Sequence, residues 1–112
     1  MISYNNKYFR PVNNTANGET SAATIFHYMQ EDNIITAVYA GGRILKGQLI
    51  GLADADGKLT LRYQQVNDKG ELMTGICLSA PEIMANGKLR LKEKWKWTSG
   101  DFSEGESVIE EI

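Results

Sequence analysis

The feature that most constrains the fold is a regular alternation of polarity from Lys88 to Trp97. Basic side chains occupy every second position, and leucine, glutamate and tryptophan fill the positions between them. Successive side chains of a β-strand point to opposite faces, so the pattern indicates a strand with one wet and one buried face. The buried face then carries Leu89, Leu91, Glu93, Trp95 and Trp97.

Turn signals divide the rest of the chain into similar short segments. Pairs such as Asn17-Gly18, Gly41-Gly42 and Asn86-Gly87 tolerate the positive φ angles of tight reversals. The segments between the turns alternate in polarity and are rich in β-branched and aromatic residues, which is typical of strands. The predicted strands are 6–12, 23–31, 34–40, 43–53, 58–66, 71–79, 88–98 and 106–111.

These segments predict an all-β protein, with 1–112 as a single domain. Short connections favour antiparallel hairpins between neighbouring strands. A meander of about eight strands leaves two exposed edges unless it closes, so we predict a closed or nearly closed up-and-down β-barrel. A strongly curved open sheet or a sandwich is the alternative. We expect the sheet to curl at Gly47, Gly51 and Gly75, and at most one short helical turn within Pro81–Ala85.

Composition limits the function classes. A net charge of −2 and a pI near 5.4 predict no nucleic-acid partner. No apolar stretch approaches the roughly 20 residues that cross a bilayer, so no membrane partner is expected. The first residues lack the apolar run of a signal peptide, and the single Cys77 cannot form an intramolecular disulfide. We therefore expect a cytoplasmic protein.

Glu93 is the candidate functional residue, because it falls on an apolar face between Leu91 and Trp95. An ionised carboxylate there is costly unless a cation or hydrogen bonds replace its hydration. One interpretation is a small polar or cationic ligand inside the barrel. The alternative is an internal bond to an arginine, His27 or a tyrosine, or a position at the wet rim. The predicted ligand-binding residues are Glu93, Trp95, Trp97, Tyr63 and His27.

The remaining reactive residues do not identify an enzyme. His27 is the only histidine and shares a strand face with Ile25 and Met29. It is a general base only if a carboxylate such as Glu93 orients it, with the two side chains about 3 Å apart. Cys77 is expected to be a buried, inert thiol. The nucleophile-elbow, phosphate-loop and dinucleotide motifs are missing, so no catalytic residue, metal or cofactor is predicted.

Two further features bear on partners. The segment 54–57 has too few ligands for a calcium loop and is expected to be a hairpin turn. The basic face of 88–96 allows a non-catalytic module that recruits a protein through this face or through a sheet edge. Acidic residues of the last strand are expected to neutralise much of that charge. The sequence also leaves a homodimer open.

The segments Tyr4–Val12, Asn67–Gly75 and Glu93–Asp101 resemble a family of short bacterial proteins, about 110 residues long, that are essentially uncharacterised. Some carry the label N-acetylglutamate synthase, which implies an acetyl-coenzyme A transferase. The pyrophosphate loop of acetyltransferases opens a helix, whereas the nearest match here, Arg43–Gln48, has its glycine elsewhere and continues as a strand. In shape, the predicted meander is similar to the calycin-like lipocalin, fatty-acid-binding and avidin barrels.

Overall fold

Eight β-strands make up the regular structure of the computed structural model, which describes residues 2–112. All eight strands predicted from the sequence are present. Their bounds are β1 Lys7–Asn14, β2 Ile25–Glu31, β3 Ile34–Gly41, β4 Ile44–Ala53, β5 Leu59–Asn67, β6 Leu72–Ile83, β7 Leu89–Trp97 and β8 Glu104–Glu111.

The strands pair antiparallel with their sequence neighbours, and β1 pairs with β8 to close the barrel. The closing pair is in register with Arg10 opposite Glu110. The prediction of an all-β, closed, up-and-down meander is confirmed. Closure pairs the two terminal strands with each other, so neither β1 nor β8 is left as an unpaired edge along its whole length.

Strand β6 differs from the prediction at its end. The sequence was expected to allow a short helical turn in Pro81–Ala85, but β6 continues as a strand to Ile83. Strand β5 pairs with β6 only as far as Ser79, whereas β7 pairs with it to Ile83. Beyond Ser79, β6 therefore lies at a local edge, where a proline without an N–H is tolerated.

The expectation that the sheet curls at Gly47, Gly51 and Gly75 stays a prediction. In residues 2–112 the register shifts lie at Pro11/Asn13, Tyr39/Gly41 and Ile44/Lys46, and the second of these begins next to the Tyr39–Gly47 pair. Gly47 and Gly75 make room for side chains of the paired strands. A Cβ at Gly47 would lie 2.3 Å from the Tyr39 ring, and one at Gly75 would lie 2.2 Å from the Tyr63 ring.

The two ends of the barrel are closed in different ways. At one end, the fully buried Tyr4 donates its hydroxyl hydrogen to the carbonyl of Gly57, in the β4–β5 turn. At the other end, the segment 15–24 that joins β1 to β2 reaches across the opening. Residues 2–112 contain no helix long and apolar enough to cross a membrane.

Candidate functional site

An internal cavity of about 60 Å³ lies in the barrel under the segment 15–24. A single water needs roughly 10–15 Å³ of such space, so the cavity has room for about four to six water-sized groups. The barrel is thus largely, but not completely, filled by its own side chains. The lining includes Gly18, Glu19 and Thr20 at the covered end, together with side chains from the strands.

Aromatic rings form much of the cavity wall. Trp95 and Trp97 contact edge to face, with ring centroids 5.4 Å apart, and Tyr63 meets Trp97 at 5.7 Å. Across the cavity, Tyr39 stacks on Phe26 at 4.5 Å. The wall therefore contains rings packed both edge to face and in a stack.

Three of these rings lie directly opposite a glycine on the neighbouring strand. The pairs are Tyr39 with Gly47, Tyr63 with Gly75, and Trp95 with Gly105. Each ring lies against the backbone of the adjacent strand, in space that a Cβ would occupy. The glycines therefore keep the rings close to the wall and away from the barrel axis, which preserves the cavity.

The indole N–H groups bond the two tryptophans to the end of β1 and to the segment that covers the cavity. Trp95 Nε1–H donates to Asn14 Oδ1, and Trp97 Nε1–H donates to the carbonyl of Asn17, each at 3.1 Å. Since buried indole N–H groups usually find a partner, these bonds fix the orientation of both rings.

Glu93 forms the centre of a polar row on the inner wall. It lies directly opposite Ser79 on β6 and Ser107 on β8. The Ser79 hydroxyl donates to one carboxylate oxygen at 2.8 Å, and the Ser107 hydroxyl donates to the other at 3.0 Å. Glu93 also borders the cavity. Its partners are thus two neutral hydroxyls, not the arginine, histidine or tyrosine expected from the sequence.

Burial changes the ionisation of this wall. It raises the pKa of Glu93 above its ordinary value, against hydrogen bonds from Ser79, Ser107 and Cys77 that lower it. Burial also raises the pKa of the Cys77 thiol, and the nearby Glu93 carboxylate raises it further. Cys77 is buried, as predicted. The cavity therefore holds a carboxyl group whose charge is disfavoured by its surroundings.

A second carboxylate, Glu19, enters the barrel from the covering segment and is 8% exposed. Gln65 Nε2–H and Asn67 Nδ2–H donate to its two oxygens, each at 2.8 Å. Arg43 lies 3.8 Å away at the rim, and the Tyr39 hydroxyl donates to Gln65. This network fastens the segment 15–24 to the barrel mouth.

The structure brings together four of the five predicted site residues. Glu93, Trp95, Trp97 and Tyr63 all line the cavity. His27 does not, because its neighbours Phe26 and Tyr28 face inward and alternation sends His27 to the outer face.

On the outer face, His27 stacks on Tyr8 at 4.2 Å and contacts Asn6 Oδ1 at 2.9 Å. It also borders a shallow surface hollow with Val38. The hypothesis that Glu93 and His27 form an acid/base pair fails, because the barrel wall separates them.

Three basic residues on the outer face of β7 pair with acidic neighbours, and two of the pairs reach the last strand as predicted. Arg90 bridges Glu82 and Glu110 at 2.8 and 2.7 Å. Lys92 also approaches Glu82, at 3.2 Å, and the remaining pair joins Lys96 to Glu104 at 4.0 Å. These pairs engage three of the five basic residues in 88–96, which leaves less free charge for the protein-recruiting alternative. The segment 54–57 forms the predicted turn.

Sequence reasoning missed the partners of the site. Ser79 and Ser107 lie on inward positions of their strands, but their place opposite Glu93 depends on the register. Glu19, Gln65 and Asn67 were missed because a long turn-rich segment gives no periodic signal of where it folds. One signal was available: alternation along β5 places the polar Gln65 on the inner face with Leu59 and Leu61, which indicates a buried polar partner.

Fold and site together define a class: a closed eight-stranded meander barrel with an internal, aromatic-walled cavity that contains a carboxyl group. The sequence model of the family described as avidin-like protein matches residues 2–112. The chain therefore belongs to the avidin-like family, which agrees with the calycin-like shape predicted from the sequence. No curated protein sequence matches the chain. The resemblance to bacterial proteins labelled N-acetylglutamate synthase stays a prediction.

Proposed function

We propose that this protein binds a small molecule in its barrel interior, with Glu93, Trp95, Trp97 and Tyr63 in the wall of the site. The observation that carries the proposal is the cavity itself, which combines aromatic walls with a few convergent polar groups. That combination is typical of small-molecule sites, and the mouths of β-barrels are among the places where they occur.

The size of the cavity supports a particular mode of binding. A space of about 60 Å³ accommodates a headgroup and not a whole drug-sized molecule. The rest of a larger ligand would pass the segment 15–24, which is held by side-chain contacts and includes no strand. We therefore propose that the headgroup enters the cavity while the remainder lies at the mouth.

Native mass spectrometry tests this function. The protein, incubated with a metabolite extract, is compared with its denatured mass. Since the proposal includes a cytoplasmic location, the extract is cytoplasmic. Biotin is tested separately because the streptavidin barrel binds it. The expected result is a non-covalent adduct that disappears on denaturation.

A matched pair of variants locates the adduct. Leu61 lines the cavity and is 1% exposed, whereas Leu78 on the neighbouring strand faces outward and is 59% exposed. Leu61→Phe should fill the cavity and remove the adduct, and Leu78→Phe should retain it. Circular dichroism verifies that both variants fold. Equal retention by both would place binding outside the barrel and refute the proposal, as would a clean apo mass with every ligand source.

A homodimer is also part of the proposal. It is supported by aliphatic side chains on the outer face, including Val38 at 61% and Ile50 at 57% exposure, which border the same hollow. Light scattering coupled to size exclusion should give twice the chain mass, and Val38→Glu should give the monomer. A monomer for the unmodified chain at micromolar concentration would contradict it.

A further inference from the structure

We propose that the ligand carries a positive charge, and that its ammonium or guanidinium headgroup sits in the cavity between the Glu93 carboxylate and the aromatic rings. This inference rests on the proposed function and adds the chemical class of the ligand.

The electrostatic surroundings of Glu93 favour a cation. Among the ion pairs of residues 2–112, none includes Glu93, whose oxygens are held by neutral serine hydroxyls. The ionisable groups that bear on this region from the other elements are Tyr28, Tyr39, Tyr63, Cys77 and Glu19. Each of these is neutral or acidic. Buried carboxylates in proteins are normally paired with a cation. Glu93 lacks such a partner among these groups, and a cationic ligand would supply it.

The two carboxylates of the cavity, Glu93 and Glu19, differ in their partners. Glu19 has Arg43 at 3.8 Å, together with two amide donors. Its charge is therefore already matched at the rim. Glu93, deeper in the barrel, is the carboxylate left for a ligand. An anionic headgroup would meet two carboxylates and, among the described residues that line the cavity, no lysine or arginine, which disfavours acids and phosphates.

The aromatic walls of the cavity also favour a cation. Cations are attracted to the faces of aromatic rings within about 6 Å, and tryptophan is the strongest such partner. The cavity is lined by Trp95, Trp97, Tyr63 and Tyr39. The glycines opposite three of these rings keep them against the wall, which leaves the space between them open. A carboxylate combined with several rings provides both the charge and the polarisable surface that a desolvated cation needs.

The volume of the cavity limits the size of the headgroup. Room for about four to six water-sized groups suits a trimethylammonium group, a guanidinium group or a short primary amine. These headgroups are the probes for the test, because each has a neutral counterpart of similar shape.

The assay uses the intrinsic fluorescence of the protein. The chain contains two tryptophans, and both line the cavity, so emission reports on this site. Choline is titrated beside its neutral isostere 3,3-dimethylbutan-1-ol, guanidinium beside urea, and propylamine beside propanol. At least one cation should bind roughly thirtyfold or more tightly than its neutral counterpart, as expected when a buried charge pair is lost.

Glu93→Gln supplies the second comparison, since the amide keeps the shape and removes the charge. One serine hydroxyl can still donate to the amide oxygen, and the other can accept from the amide N–H. The affinity for the cation should fall by a similar factor of roughly thirty. Glu106→Gln is the matched control, because it removes one charge from an exposed outward position on β8 and should leave the affinity within about twofold.

The outcomes separate this inference from the proposed function. A neutral or anionic adduct in native mass spectrometry, with no preference for cations in the titrations, would overturn the inference and leave the binding function intact. No adduct and no cation binding would overturn both. If Glu93→Gln does not fold, the isostere comparison on the unmodified chain still decides the question.

Discussion

Replacement of Gly47 by alanine tests whether the glycines set the interior volume. A Cβ at this position would lie 2.3 Å from Cε2 and 2.5 Å from Cζ of Tyr39, and the three nearest atoms all belong to that ring. Ordinary contact begins near 3.4 Å, so the ring must move by about 1.1 Å (3.4 − 2.3) toward the barrel axis. That movement would strain the Tyr39 bond to Gln65 and narrow the cavity.

The expected cost follows from overpacking. Added methyl groups in a packed core cost about 1–3 kcal/mol. For a chain of this length, each kcal/mol corresponds to roughly 4 °C, so the melting temperature should fall by about 4–12 °C. Urea unfolding, followed by tryptophan emission and by circular dichroism, measures the free energy of unfolding. The same variant should also weaken ligand binding, because the displaced ring enters the cavity.

A double-mutant cycle with Tyr39→Val provides the control. Valine keeps a strand-compatible side chain but lacks the ring atoms that clash. The φ angle of Gly47 is not positive, so alanine without the clash should be neutral or stabilise by about 0.4–1 kcal/mol. The destabilisation by Gly47→Ala should therefore disappear or change into a stabilisation in the Tyr39→Val background. An equal effect in both, or no effect in either, would refute the idea that this glycine accommodates the ring.

Three other predictions follow from the site. Because burial raises the pKa of Glu93, the folded state holds this proton more tightly than the unfolded chain, and stability is lost as pH rises through that pKa. Glu93→Gln should raise the melting temperature of the apo protein at neutral pH and flatten this dependence, whereas an unchanged pH profile would contradict it. Glu19→Ala leaves the Gln65 amide without its acceptor and removes one of the two acceptors of the Asn67 amide, which keeps its bond to Glu71. The change should cost about 1–3 kcal/mol and speed amide exchange in the segment 15–24 but not in β7. Uniform exchange throughout the chain would argue against local fastening of this segment. Tyr4→Phe removes the bond to Gly57 and should cost about 0.5–1.5 kcal/mol by urea unfolding, with ligand affinity unchanged.

The sequence predicted the barrel well because its strands are short, alternating and separated by recognisable turns. The alternation around Glu93 was enough to place Trp95 and Trp97 on the inner wall, as the structure confirms. Local pattern was insufficient for β2, where both faces carry apolar residues. Ile25 and Met29 suggested an inward His27, yet they are 39% and 42% exposed.

Features that depend on pairing between strands could not be predicted in the same way. Glycines within strands indicated a special backbone role, but only the register reveals that Gly47 and Gly75 lie opposite tyrosines. The serine partners of Glu93 depend on the register for the same reason. The extension of β6 through Pro81 likewise depends on where β5 stops pairing.

The closure of one barrel end by Tyr4 affects the kinetics of ligand binding. With that end of the barrel sealed, the cavity is a blind tube, and a molecule that reaches Glu93 leaves by the path along which it arrived. The rate at which the segment 15–24 opens then limits both the association rate and the dissociation rate of the ligand. Changes in that segment away from the cavity-lining Gly18, Glu19 and Thr20 should alter the residence time of the ligand while its equilibrium affinity stays constant.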